Sequence, residues 1–456
     1  MARASKIFAS VTGAAALLLL TALKLSTPVM AASVDDWRGR AIYQIVTDRF
    51  YQGDGGNNTA CADLSLYCGG TFDGISQKLD YIQGMGFDAI WISPVVENMA
   101  DGYHGYWAQD FYAVNPNFGT LVSLKNLVQA AHARQMYVML DVVANHAGFP
   151  GNFSTTNPFN ASTDYHTECN INNWNDQTQV EQCWVTGQLS DLNTEDSWVQ
   201  AELGRIVSWW VNKVGGFDGI RIDTVKHVRK DFWPGFAGSA GVFSMGEVFS
   251  SDATYIGPYQ NYIDSLHGYS MFYALRNVFQ QKQSMWDISN QVWTDEQNFK
   301  DTSVLGNFID NHDNPRFLNG QSANGIPTVY YGTEQVYAGG NDPANREPLW
   351  TSGFNTNTDM YNFFKTLNGV RLQDPFANKT MNIHVSDQIY TFTRGNTVVA
   401  LSNVGSGQGV SATFSLPNAF QNGTVLTNVF NSADSITVVN GAVTVTIVNG
   451  LPGIYH

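Results

Sequence analysis

Three acidic side chains stand directly after apolar, strand-like runs. They are Asp223 in "GIRIDTVKH", Glu247 in "SMGEV" and Asp313 in "NHDNPR". Cleavage of a glycosidic bond needs groups of this kind: one carboxylate to attack or stabilise the sugar carbon and one acid to protonate the leaving oxygen. A single acid of this kind is more often a cap or a surface charge, but three at strand ends favour a site.

Basic side chains accompany the three acids. Arg221 precedes Asp223 by two residues, so the two side chains lie on the same face of a strand. A fixed cation there favours an ionised carboxylate, which a nucleophile requires. A structural salt bridge would also explain Arg221, but it would not explain the gathered acids. His146 and His312 stand at strand ends as well, and they add hydrogen-bonding groups to the predicted site.

Eight strand-like runs, separated by helix-like segments, must position these residues. They span residues 41–50, 89–95, 136–146, 216–227, 242–249, 262–268, 304–313 and 326–335. Eight strands that alternate with helices predict an α/β fold, a parallel (β/α)8 barrel. Because chemistry in that fold sits at the C-terminal ends of the strands, we expect the polar residues there to meet.

Two regions do not follow the alternation. Residues 147–191 are rich in Asn, Thr, Ser and Asp, and they predict an irregular domain inserted after the third strand. Residues 376–456 contain runs that alternate at period two, with turns between them, and they predict a small C-terminal antiparallel β domain. The catalytic barrel is therefore assigned to residues 32–375.

The connection before the eighth strand is unusually short. Only residues 318–324 separate Phe317 from Gly325, whereas parallel strands need a crossover of about a dozen residues or more. The seventh barrel helix is therefore predicted to be missing. A tight link, a barrel that is open at this point and an error in the coding sequence would each produce this pattern.

Four motifs, in this order along the chain, carry a family resemblance. "DVVANH", "GIRIDTVKH", "GEV" and "NHDNPR" resemble the four signature regions of the α-amylase family of retaining α-glycoside hydrolases. "YHGYW", "KDFWPGF" and "GGNDPANRE" resemble the fungal secreted members in particular, and the likeness runs to the C-terminus. The resemblance implies an endo-acting hydrolase of α-1,4-glucans, with starch and maltooligosaccharides as substrates.

The resemblance also implies a role for each site residue. Asp223 would be the nucleophile, Glu247 the acid/base, and Asp313 the residue that binds sugar hydroxyls and helps to distort the ring. Tyr106 would be a stacking platform with Trp107 beside it. The remaining contacts would come from His146, Arg221 and His312 around the cleaved sugar, Lys226 and His227 on the leaving-group side, and Asp342 and Arg346 on the glycone side.

One structural Ca²⁺ between the barrel and residues 147–191 is a further implication of the resemblance. Its ligands would be Asn145, Glu181, Asp191 and the backbone carbonyl of His227. All four are oxygen donors, which Ca²⁺ prefers.

Four cysteines form two local pairs, Cys61/Cys68 and Cys169/Cys183. In a secreted chain, this spacing predicts two short disulfide loops. Metal binding by thiolates is the alternative, and the absence of a CxxC spacing argues against it.

The first thirty-one residues predict secretion. Basic residues precede an apolar run, and small residues near Ala31 offer a cleavage site, which together indicate a signal peptide at 1–31. An uncleaved membrane anchor is the alternative. Five Asn-x-Ser/Thr sequons fit passage through a glycosylating secretory route, at Asn57, Asn152, Asn160, Asn378 and Asn422.

The charge of the chain restricts its partners. Cleavage after residue 31 removes three basic residues and no acidic one, so the net charge falls from −15 to −18. A charge of this sign disfavours nucleic acid and anionic membrane surfaces. We therefore expect an extracellular monomer that acts on a neutral glucan, with no nucleic-acid or membrane partner.

Two rival functions stay open. The first keeps the chemistry but makes the chain a transglycosylase or an exo-acting α-glucosidase of the same family. The second is a truncated, non-catalytic glucan-binding homologue, which the missing helix favours and the intact acids disfavour.

Overall fold

The computed structural model describes residues 32–319, 328–373, 381–418 and 420–456. The predicted signal peptide 1–31 lies outside these residues, as do residues 320–324 of the predicted short link. Within the described part of the chain, no helix is long and apolar enough to cross a membrane.

A parallel sheet of seven strands forms the centre of the described chain. The strands are β1 Ile42–Ile45, β2 Ala89–Ile92, β3 Tyr137–Val142, β4 Gly219–Ile222, β5 Phe243–Gly246, β6 Ser265–Leu266 and β7 Thr328–Tyr330. Their spatial order is β6-β5-β4-β3-β2-β1-β7. The predicted α/β fold is confirmed, and each of these strands lies within one of the predicted runs.

The predicted seventh run, 304–313, differs from the expectation because it forms no continuous strand. It contacts its neighbours through single parallel bridges, from Gly306 to His267 and from Phe308 to Thr328. The neighbouring strand β6 has only two residues, so it offers too short an edge for a longer ladder. The two bridges still connect the chain after β6 with the start of β7, and β7 pairs with β1.

Helices occupy the connections between the strands, as predicted. The main ones are Phe72–Gln77, Leu79–Gly84, Leu121–His132, Ser197–Ser208 with the π-helical continuation Trp209–Gly215, Trp233–Ala240, Tyr269–Phe279, Trp286–Asn298 and Asp359–Gln373. In Leu121–His132, the buried Leu124, Leu127 and Val128 are spaced by three and four residues, which gives one apolar face. The side chain of Thr120 accepts a hydrogen bond from the backbone of Ser123 and caps this helix.

The barrel interior is apolar at one end and polar toward the C-terminal ends of the strands. Side chains two apart on a strand share a face, so Gln44 follows Ile42 and Asp141 follows Met139 on the inner surface. Ile42 and Met139 belong to an apolar cluster inside the barrel. Gln44, Asp141 and Arg221 are all buried above it, and they form a polar layer under the strand ends.

The region predicted as an inserted domain is fastened at both ends. The segments His146–Gly148 and Leu189–Asp191 pair as antiparallel strands. The disulfide Cys169–Cys183 lies between them, together with the helix Gln177–Gln182. The second predicted disulfide, Cys61–Cys68, is also formed.

The C-terminal part of the chain is antiparallel, as predicted. In spatial order, one sheet contains Met381–Val385, Ile389–Arg394, Thr397–Ser402, Gly453–Tyr455, Val425–Asn428 and Asn431–Thr437. A second pairs Gly409–Ser415 with Ala442–Val448. These strands bury an apolar core of their own, separate from the barrel core.

Candidate active site

A cleft of about 670 Å³ opens at the C-terminal ends of the barrel strands. Eleven residues that the sequence singled out line it: Tyr106, Trp107, His146, Asp223, Lys226, His227, Glu247, His312, Asp313, Asp342 and Arg346. Arg221, the remaining catalytic or substrate-binding candidate, is buried beneath them. Segments that are far apart in sequence therefore meet in one cleft.

Arg221 contacts two of the three acids from below. Its Nη1 lies 2.7 Å from Oδ1 of Asp223, and its Nη2 lies 2.9 Å from Oε2 of Glu247. The register of β4 and β5 aligns Ile222 with Gly246, so the next residue of each strand end is an acid. The guanidinium is almost fully buried, and solvent ions therefore screen these contacts little.

Glu247 is oriented by two further hydrogen-bond donors. The backbone N–H of Thr224 donates to Oε2 at 3.2 Å, and the hydroxyl of Tyr269 donates to Oε1 at 3.1 Å. Thr224 has a φ of 50°, which a β-branched residue rarely adopts and which costs about 1–3 kcal/mol. The strained turn aims its N–H at Glu247.

Asp313 lies at the cleft surface, with about a third of its side chain exposed. Its Oδ2 lies 3.4 Å from Nε2 of His312, and its Oδ1 lies 3.8 Å from Nη2 of Arg346. Burial in the cleft and then the charge of Glu247 raise the pKa of Asp313 above its usual range. A neutral carboxyl group both donates and accepts hydrogen bonds, which suits contacts with sugar hydroxyls.

Arg346 and Asp342 form one side of the cleft and hold each other. Nη1 of Arg346 lies 3.1 Å from Oδ1 of Asp342, and it also donates to the hydroxyl of Tyr103 at 3.0 Å. The sequence did not single out Tyr103. Its ring lies 3.8 Å under the buried guanidinium of Arg49, and this contact fixes its position.

One ring nitrogen of His146 forms no hydrogen bond with the described residues. Its Nδ1 lies 3.2 Å from the amide nitrogen of Asn145, which donates. Burial lowers the pKa of His146 to about 4, so the ring is neutral and carries its hydrogen on Nε2. This Nε2 is buried without a hydrogen-bond partner among the described residues.

Tyr106, the predicted stacking platform, is held in the cleft wall. Its ring is nearly parallel to the rings of His104 and His312, with centroids 5.7 and 5.3 Å away. Its hydroxyl lies 2.8 Å from Oδ2 of Asp141 and 2.7 Å from Nε2 of His312. The ring is therefore fixed before any ligand binds.

The opposite side of the cleft contains two exposed aromatic rings that the sequence did not single out. Trp174 is 55% exposed and Phe249 is 37% exposed. Nζ of Lys226 donates to the carbonyl of Phe249 at 2.9 Å and lies 5.1 Å from the ring centroid of Trp174. Phe249 follows Glu247 by two residues at a strand end, which was a usable signal, whereas nothing in the sequence marks Trp174.

Asp141 is the main functional candidate that sequence reasoning missed. Its Oδ1 lies 3.0 Å from Nη1 of Arg221, and its Oδ2 accepts from Nε1 of Trp91 at 2.9 Å. Burial raises the pKa of Asp141 to about 7, against the effect of Arg221. The available signal was an acid inside the apolar run "MYVMLDVV".

The residues expected to bind Ca²⁺ are brought together in part. Oδ1 of Asn145 and Oδ1 of Asp191 are both buried without a hydrogen-bond partner in the described chain, which fits a hard cation. Gln177 links the carboxylate of Glu181 to the turn that contains His227. Among the described residues, no three His, Cys, Asp or Glu side chains gather as a metal site, so amide and carbonyl oxygens would have to complete the set.

Comparisons with known proteins agree with this arrangement. A family model for the catalytic domain of alpha amylase matches residues 44–381. Alpha-amylase 2 of Schwanniomyces occidentalis is 40% identical, over 90% of this chain and 89% of its own. The alpha-amylase of Saccharomycopsis fibuligera is also 40% identical, over 89% of this chain and 90% of its own.

A solved structure shows the same fold. An alpha-amylase from Malbranchea cinnamomea superposes with a TM-score of 0.88 at 38% identity. The match covers 93% of this chain and 97% of the other.

Proposed function

The chain belongs to the α-amylase family, and on that premise we propose that it hydrolyses α-1,4-glucosidic bonds in starch and related glucans. The observation that carries the proposal is the single cleft that Asp223, Glu247 and Asp313 share at the strand ends. Hydrolysis is endo-acting and retains the configuration at the anomeric carbon.

In the first step, a carboxylate oxygen of Asp223 attacks the anomeric carbon while Glu247 gives its proton to the glycosidic oxygen. The bond between the carbon and that oxygen breaks, and the leaving glucan departs with a new hydroxyl group. A covalent glycosyl-enzyme remains on Asp223. The contact of Arg221 with Asp223, at 2.7 Å, supports this role because it stabilises negative charge on the nucleophile.

In the second step, Glu247 is a carboxylate and takes a proton from water. The water oxygen attacks the anomeric carbon and releases Asp223, so two inversions give net retention. The donors on Glu247 from Thr224 and Tyr269 support both roles because they keep the carboxyl group in one place. His146 and Asp313 bind the hydroxyl groups of the sugar that is being cleaved.

One Ca²⁺ would bind to Asn145, Glu181, Asp191 and the carbonyl of His227. The buried, unpartnered oxygens of Asn145 and Asp191 support this assignment. When bound, the ion would supply a structural tie between the end of β3 and the segment 147–191. It would take no part in the reaction at the sugar.

The protein is further proposed to be a secreted, extracellular and glycosylated monomer. The two disulfides support secretion, because such bonds persist in oxidising compartments. The side chains of four sequon residues are exposed and thus open to a glycan: Asn57, Asn152, Asn160 and Asn422. Asn378 lies outside the described residues.

The direct test is to incubate the protein with soluble starch and to measure the formation of reducing ends and the loss of iodine colour. A Glu247→Gln variant is assayed in parallel. We expect rapid loss of iodine colour with the wild type and a rate lower by several orders of magnitude with the variant. Equal rates for the two proteins would refute the proposal, and inactivity of a folded wild type would favour a non-catalytic glucan-binding protein.

Product analysis separates the close alternatives. On long maltooligosaccharides, an endo-acting enzyme releases several product lengths early, whereas an exo-acting enzyme releases one small product. A transglycosylase gives products longer than the substrate. NMR of the first product should show the α-anomer, and an initial β-anomer would contradict retention.

A further inference from the structure

Four polar side chains form a hydrogen-bonded series behind the cleft: Gln44, His312, Tyr106 and Asp141. The first of them, Gln44, does not line the cleft. Nε2 of Gln44 lies 2.7 Å from Nδ1 of His312, and Nε2 of His312 lies 2.7 Å from the hydroxyl of Tyr106. That hydroxyl lies 2.8 Å from Oδ2 of Asp141. Gln44 is 2% exposed, in the middle of β1, and the proposed reaction gives it no role.

The amide of Gln44 sets the hydrogens of this series, because its nitrogen faces Nδ1 of His312 and its Oε1 is buried without a partner among the described residues. The amide nitrogen of Gln44 can only donate, so Nδ1 of His312 must accept and carries no hydrogen. The neutral ring then carries its hydrogen on Nε2, which donates to the hydroxyl oxygen of Tyr106. The single hydroxyl hydrogen of Tyr106 is therefore committed to the carboxylate of Asp141.

The other tautomer of His312 would weaken the polar layer of Asp141 and Arg221 under the proposed catalytic acids. With the hydrogen of His312 on Nδ1, Nε2 would accept the hydroxyl hydrogen of Tyr106. Asp141 would then lose a donor, although it anchors Arg221 at 3.0 Å. The position of one hydrogen on His312 thus affects the cation that touches both Asp223 and Glu247.

We propose that Gln44 is a positioning residue that keeps His312 neutral with its hydrogen on Nε2. In this state the Nε2–H group of His312 donates to the hydroxyl oxygen of Tyr106, with Oδ2 of Asp313 3.4 Å from the same nitrogen, and Tyr106 remains a donor to Asp141. The kinetic consequence rests on the proposed glucan hydrolysis. The position of the hydrogen is a property of the free protein and is tested without substrate.

The surroundings of His312 also keep the ring neutral. Burial lowers the pKa of His312 well below its usual range, and the facing cationic or ionisable groups lower it further; these are Arg221, Arg346, His267 and His104. The acids that face it are Asp313 directly and Asp141 through Tyr106. These charges do not determine which of the two ring nitrogens carries the hydrogen. The contact with Gln44 determines it.

The primary test is NMR of the protein labelled with ¹⁵N-histidine. Two-bond ¹H–¹⁵N correlations distinguish a protonated ring nitrogen from a bare one, and a His312→Gln variant identifies the signal. We expect Nε2 protonated and Nδ1 bare in the wild type near neutral pH. A His312 ring that carries its hydrogen on Nδ1, or a charged ring, would overturn the proposal.

Two substitutions of Gln44 extend the test. Gln44→Leu removes the donor at similar size, and we expect kcat on maltooligosaccharides to fall about 10-fold to 100-fold, with a smaller change in KM. Gln44→Glu places an acceptor against Nδ1, so the hydrogen should move to Nδ1 and the pH profile of kcat should gain an ionisation. Unchanged kcat and an unchanged His312 spectrum in both folded variants would contradict the proposal.

Gln260→Leu is the matched control. Gln260 is equally buried, and its amide bonds to the backbone of Asp264 and Asp301 on the far side of the barrel. We expect it to lower stability without moving the His312 signals or the pH profile. If the wild type were inactive on glucans, the proposed function would fail. The NMR experiment would still show whether Gln44 sets the position of the hydrogen on His312.

Discussion

Oδ1 of Asp141 lies 3.0 Å from Nη1 of Arg221, in an ion pair buried beneath the cleft. Nε1 of Trp91 donates to the other carboxylate oxygen of Asp141 at 2.9 Å, so the carboxylate is held at both oxygens. Arg221 in turn contacts Asp223 and Glu247. Asp141 therefore fixes the cation that the two proposed catalytic carboxylates share.

Replacing Asp141 should damage both activity and stability. We expect Asp141→Asn to lower kcat about 100-fold or more, because Arg221 is no longer held in register with the acids. Unfolding should become easier by less than the roughly 3–5 kcal/mol of a fully unpaired buried charge, because Arg221 loses one carboxylate partner and keeps Asp223 and Glu247. Starch hydrolysis and urea denaturation measure the two effects.

The matched control is Asp295→Asn, at an equally buried acid that accepts hydrogen bonds from Ser270 and Gln291 outside the cleft. We expect it to lower stability and leave kcat near the wild-type value. An Asp141→Asn protein that is folded and fully active would refute the role given to Asp141.

The barrel and the gathering of acids were predictable because both follow from local patterns. Short apolar runs mark strands, and the residues after the strand ends border the mouth of a barrel, where Asp223 and Glu247 lie. The extent of the seventh run was not predictable. Whether residues 304–313 form a ladder depends on the length of β6, and the apolar run alone does not contain that information.

The residues missed in the site fall into two kinds. Gln44 and Asp141 stand inside apolar strands, where a polar residue on the inward face should have signalled a buried network. Trp174 lies in an irregular segment, and its place on the cleft follows from the folding of residues 147–191. Short-range patterns do not determine such a position.

Trp174 should influence which glucans are bound and how they are cut. It stands beside Lys226, which the family resemblance places on the leaving-group side. An exposed indole can stack on a sugar, so Trp174→Ala should raise KM for long maltooligosaccharides about 2-fold to 10-fold and shift the product lengths. Trp293→Ala, at a 63% exposed ring on an outer helix, should change neither. Identical product profiles for Trp174→Ala and wild type would contradict this role.

Removal of Ca²⁺ should lower stability first and activity second. A ligand that binds only the folded state stabilises it by about 4 kcal/mol at a thousandfold excess over Kd. We expect chelation to lower Tm and added Ca²⁺ to restore it, and Asp191→Ala should weaken this response. Asp80→Ala, at an 81% exposed acid, should respond like the wild type. An unchanged Tm in a sample shown by metal analysis to be calcium-free would refute the site.

The contact between His132 and Asp218 should make stability depend on pH. Nε2 of His132 lies 2.9 Å from Oδ2 of Asp218, and this hydrogen bond raises the pKa of His132 above 6.5. The stabilisation is therefore complete below the unfolded pKa of 6.5 and is lost as the pH rises through the folded value. His132→Gln should cost more stability at about pH 5.5 than at about pH 9 in urea denaturation. Lys125→Gln, which removes a charge from the same helix, should show no such difference, and an equal cost of His132→Gln at both pH values would exclude the contact as the cause.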